Sequence, residues 1–134
     1  MNSLKNILFL ISAFLVGSVA NMLAVILGGI IIPLPAGADV SSPEALKASI
    51  HLMKSVNFIT PFVAHAAGTF VGAFLISKWA LARNLQFAMI IAITFFSGGL
   101  YMVIDLPAPF WFEALDLIVA YFPMGYLGYL MAKK

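Results

Sequence analysis

The chain has 134 residues, 63% of them hydrophobic and only 9% charged, with a formal net charge of +2 and no cysteine. An ordinary soluble domain carries roughly 25% charged residues, so a mean hydropathy of +1.09 excludes one and points to a membrane protein. The absent cysteines exclude disulfides, thiolate metal sites and iron–sulfur clusters, and a lone arginine without a basic stripe leaves no footprint for nucleic acid.

After a polar start, an apolar run covers residues 6–32. A signal peptide has an apolar core of roughly 7–15 residues before its cleavage site. This run is far longer and reads as an uncleaved transmembrane helix. Pro33 and Pro35 stop it, because proline lacks an amide donor and constrains its predecessor. A loop over residues 33–60 follows. Within it, Ser41, Ser42, Pro43 and Glu44 form a helix-start signal, with a serine cap, an early proline and an acid near the positive dipole end. Leu46, Ile50 and Met53 share one face and Lys47, His51 and Lys54 another. That pattern predicts a short amphipathic helix, lying either in the membrane surface or over the mouth of the bundle.

Three further spans are predicted at 61–82, 85–104 and 110–132, each near the roughly 20 residues that a bilayer requires. Barrel strands take about 9–11 alternating residues, which these runs do not resemble. Ser97-Gly98-Gly99 and Pro123-Met124-Gly125 are expected irregular points, with a kink at Pro123. Ala64, Gly68 and Gly72, and likewise Ala20, Ala24 and Gly28, are spaced by four and give two helices a small-residue face for close approach. The expected fold is a single all-α domain over 1–134, an antiparallel four-transmembrane-helix bundle with a short amphipathic helix in the outer loop. Lys5, Lys78, Arg83, Lys133 and Lys134 fall on one side of such a bundle. Asp39, Glu44, Asp105 and Glu113 fall on the other, with Lys47 and Lys54. The positive-inside rule then places both termini in the cytoplasm, with the protein in a bacterial inner membrane.

Depth along ideal helices singles out the polar residues. With a 1.5 Å rise, Asn21 lies about 24 Å above Lys5, His65 about 20 Å above Lys78 and Asp116 about 26 Å above Lys133. In a hydrocarbon layer of about 30 Å all three fall in the outer half. Thr69 sits one turn from His65, and Thr94, Ser97 and Tyr101 could add the third helix. Ionisable groups at such depth face the bundle interior. Two readings are open: a polar pocket built from Asn21, His65, Thr69, Thr94, Tyr101 and Asp116, or an Asn–His–Asp hydrogen-bond set that fixes helix register. Glu113 lies one turn from Asp116 and early enough in its helix to be a dipole partner. Two histidines without a paired ligand spacing predict no metal site, and no catalytic or cofactor motif is present.

The segments "IIPLPAGAD" (31–39), "SPEALKASIHL" (42–52), "PFVAHAAGTFVGAF" (61–74), "LPAPFWF" (106–112) and "LDLIVAYFPMGYLG" (115–128), with Asn21-Met22, carry a resemblance across nearly the whole chain. In this fixed order they resemble a family of small bacterial four-helix membrane proteins, notably of Bacteroidetes-type genomes. Some relatives carry a glutamate and a histidine late in the first helix, where this chain has Val25 and Gly29. The resemblance implies the topology and transfers no activity.

The expected function is non-enzymatic: a binding or accessory membrane protein whose outer-leaflet cavity takes a lipid or small apolar molecule, without a cofactor. The alternative is a small oligomeric transporter or proton-linked channel using His65 and Asp116. Expected partners are membrane lipid, a small apolar ligand and a second copy or a membrane-protein partner.

Overall fold

A computed structural model describes residues 2–133; the expectation for Lys134 lies outside them. Among the described residues every regular element is helical. Helix α1 spans Asn2–Ile31, α2 Pro43–Ser49, α3 Ile59–Trp79, α4 Asn84–Asp105, α5 Phe110–Val119 and α6 Phe122–Ala132. Single 3-10 turns at Ile50–Leu52 and Ser55–Phe58 link α2 to α3. Four segments, Asn2–Ile31, Ser55–Trp79, Asn84–Asp105 and Phe110–Ala132, are long and apolar enough to cross a membrane.

Helix α3 is the hub, packed against α1, α4 and α6. In lipid the apolar side chains gain little by leaving acyl chains, so close packing has to hold helices together. The sequence supplies it with small residues. Ala13, Gly17, Ala64, Gly68, Gly72 and Ala73 are all buried, and a methyl added at Gly17 would stand 2.7 Å from the Gly68 carbonyl oxygen. The small-residue face expected on α3 is the one that packs. On α1 the buried small residues are Ala13 and Gly17, below the expected set; Ala20, Ala24 and Gly28 are half-buried, Gly28 close against Thr60. Along this seam Asn6 Oδ1 accepts the Leu81 amide at 3.1 Å, Gly17 meets Gly68 and Gly72, and Gly28 meets Thr60. Most of the remaining α1 surface, including Ile7, Leu8, Ile11 and Leu15, stays exposed.

Local chemistry sets where each helix stops. Ser42 Oγ accepts the Ala45 amide at 3.1 Å and opens α2. Asn57 closes the long connection on itself: its Oδ1 accepts the Lys54 amide at 2.9 Å and its Nδ2 donates to the Pro33 carbonyl at 3.2 Å. A Lys47–Asp105 ion pair of 3.3 Å ties α2 to the end of α4. Helix α3 stops at Trp79, shorter than the span read to residue 82, because Ala80 turns extended and Arg83 adopts a left-handed conformation with φ 57°. The glycines of α4 do not interrupt it.

The last span is two helices. Its expected kink at Pro123 is instead a break one turn earlier, at Ala120 and Tyr121, with Pro123 in the first turn of α6. Proline there gives up no bond, since the first amides of a helix have no internal acceptor. The break matters because it reorients Tyr121.

Candidate functional site

His65 comes from the middle of α3, Asp116 from α5 and Tyr121 from the break between α5 and α6. His65 Nδ1 lies 2.9 Å from Asp116 Oδ1 and 3.0 Å from Oδ2. The Tyr121 hydroxyl donates to Asp116 Oδ2 at 2.9 Å and stands 3.1 Å from His65 Nδ1. Asp116 and Tyr121 are buried, 3% and 1% exposed, whereas the His65 side chain keeps 29% of its surface open.

The pattern of donors assigns the protons. A carboxylate only accepts, and a phenol that gives its proton to that carboxylate has only its oxygen lone pairs left. With Asp116 as the carboxylate, all three neighbours of Nδ1 are acceptors, and Nδ1 carries the hydrogen. Nε2 is on the other side of the ring and has no partner among the described residues. Such an arrangement fixes the ring and its tautomer through one nitrogen and leaves the second for something else.

Packing keeps the three groups in place. The His65 and Tyr121 rings stack with centroids 5.8 Å apart, and Phe96 meets Tyr121 edge-on at 5.8 Å. Gly99 on α4 makes room for the phenol, because a β-carbon there would collide with the Tyr121 hydroxyl.

His65 and Asp116 form the deep end of a cavity of about 380 Å³. Val25 and Gly29 of α1 border it on one side and Met102 and Val103 of α4 on the other. Leu46, Ile50 and Met53, from the α2 segment and the residues after it, cover the end away from the termini. Helices α1 and α4 meet at the Phe14–Phe95 ring pair, 5.2 Å between centroids, and the cavity occupies the space between them beyond that contact. Among the described residues the polar side chains in its wall are Asn57, Thr60, His65, Glu113 and Asp116, and no lysine or arginine borders it.

The other expected site residues have different places. Thr69 is fully buried and its hydroxyl donates to the His65 carbonyl at 2.8 Å, within its own helix. Asn21 packs its β-carbon over Gly68, and its Oδ1 is buried without a partner. Thr94 and Ser97 donate to carbonyls one turn back, at 2.8 Å each, and are exposed. Tyr101 is 64% exposed. His51 is exposed and outside the cavity wall. Among the described residues no three acidic or histidine side chains converge on a metal position.

Tyr121 was not legible as a site residue. On one continuous helix, five positions from Asp116 amount to about 140° around the axis, which points the phenol away. Only the break at Ala120–Tyr121 brings it back. At the terminal end, Ser77, Asn84, Tyr129 and Lys133 border a separate hollow of about 310 Å³. Between the two hollows Ala73, Ile76, Ala88 and Ile91 are packed at 1% exposure or less. No family model, curated protein or solved structure matches this chain.

Proposed function

We propose that the chain is a non-enzymatic binding or accessory protein of the bacterial inner membrane, whose cavity holds a lipid or small apolar molecule with its polar end at His65. In this reading the four spans form an antiparallel bundle with both termini in the cytoplasm. Lys5, Lys78, Arg83 and Lys133 then mark the inner end, and α2 covers the cavity at the outer one.

The observation that carries the reading is the composition of the cavity. It is large enough for a ligand by the usual range of about 300–1,000 Å³. Its walls are mostly apolar, and one oriented imidazole waits at its deep end. His65 uses Nδ1 on Asp116 and Tyr121, and its Nε2 has no hydrogen-bond partner among the described residues. The transport alternative needs polar groups continuing to the other end, and the packed layer of Ala73, Ile76, Ala88 and Ile91 weighs against it.

A cavity-filling variant tests the proposal. Gly29 borders the cavity, and a β-carbon there meets nothing within 4 Å, so Gly29→Phe adds bulk without forcing the backbone. Solvent extracts of the purified wild-type protein should contain a small apolar compound in stoichiometric amount. Extracts of Gly29→Phe should have lost it. Equal amounts in both would overturn the proposal.

A further inference from the structure

Resting on the binding reading above, we infer that the cavity selects a neutral apolar molecule ending in a single hydroxyl, an alcohol or a phenol, over anionic amphiphiles and over phospholipids. Three observations lead there.

The first is the chemistry of Nε2. Asp116 and Tyr121 fix the hydrogen on Nδ1. When the ring is neutral Nε2 accepts a hydrogen bond, and when the ring is charged Nε2 donates one. A hydroxyl both donates and accepts, so it pairs with Nε2 in either state. An ether or ketone pairs only with the charged ring.

The second is charge. Glu113 and Asp116 both border the cavity, and among the described residues no lysine or arginine does. A fatty carboxylate or a phosphate would enter a space already holding two acidic side chains, with one imidazole to offset them. Desolvated like charges repel strongly. A neutral head avoids that penalty.

The third is what borders the two ends. The imidazole is at the deep end, and the opposite end is bordered by Leu46, Ile50 and Met53 together with the polar side chains of Asn57, Thr60 and Glu113. A phospholipid lying in register with the bilayer would put its phosphate beside Glu113, with no lysine or arginine of the described residues in the wall to pair it. A molecule whose small hydroxyl reaches down to His65 leaves its apolar body against Val25, Met102, Val103 and Ile50.

The test uses the full chain in phosphatidylcholine nanodiscs, with three probes of equal chain length: dodecanol, dodecyl methyl ether and sodium dodecanoate. Histidine is labelled with 15N in a His51→Gln background, so the remaining imidazole signals belong to His65. Dodecanol should move the His65 Nε2 resonance and bind at least ten-fold tighter than either other probe. It should do neither in Gly29→Phe. Dodecanoate or the ether binding as well as the alcohol would overturn the hydroxyl inference and leave the binding reading standing. So would a native compound co-purifying while none of the probes binds. If no probe binds and the purified protein carries nothing, the binding reading itself has failed.

Discussion

At the scale of single residues, the arrangement depends on Tyr121 and on the glycine that admits it. The phenol donates a hydrogen bond to Asp116 and stacks on His65, so it orients both. Two adjacent glycines of α4 separate this role from simple helix propensity. Gly98 faces open space, and Gly99 faces the Tyr121 ring. Gly98→Ala should be neutral or stabilising by up to about 1 kcal/mol, the usual gain in a helix interior. Gly99→Ala should cost about 1–3 kcal/mol through overpacking against a fully buried ring, and it should change the His65 imidazole signals as the phenol is displaced. Thermal unfolding of the two variants in one detergent, with the NMR spectrum beside it, checks both signs. Equal effects would mean that the tyrosine contact contributes nothing. His65 and Asp116 were legible as candidate partners because both are ionisable and both fall in the outer half of the bilayer, where such groups face the bundle interior. Asn21 was placed by the same reasoning and lies elsewhere, against Gly68. Depth gives a residue's height along its helix and not its angle around it.

At the scale of elements, hydropathy and proline positions located the four long apolar segments to within a few residues, as at Leu106, which turns extended before Pro107 and ends α4. What escaped was the division of the last span. Proline at 123 signals a disturbance, but whether it bends a helix or starts one depends on whether the preceding turn unwinds. That is decided by packing against α3 and α4. The seam between α1 and α3 is the element-scale feature most exposed to mutation. Gly68 is pressed between the Asn21 β-carbon and the Gly17 carbonyl, each 2.9 Å from where a methyl would sit. Gly68→Leu should therefore destabilise by roughly 3 kcal/mol, the upper end for overpacking, and lower the midpoint of denaturation in detergent. An unchanged midpoint would show that the helices can separate freely.

At the scale of the whole molecule, the two ends differ. The terminal end gathers Lys78, Arg83 and Lys133 around short turns, and the loop end carries the cavity and its cover. Because the chain has no cysteine, single cysteines report topology without background. Val56→Cys and Leu81→Cys replace exposed residues at opposite ends and remove no charge. In intact cells a membrane-impermeant maleimide should label the first and spare the second. The reverse pattern would invert the orientation read from the lysines. The closed layer around Ile76 and Ile91 predicts no proton flux through vesicles containing the protein.

The central claim is that the cavity is a binding site, and native mass spectrometry of the protein released gently from membranes tests it most directly. The account predicts one extra mass per chain, small and neutral, present in the wild type and absent from Gly29→Phe. A bare wild-type chain under conditions that preserve other protein–lipid complexes would contradict it.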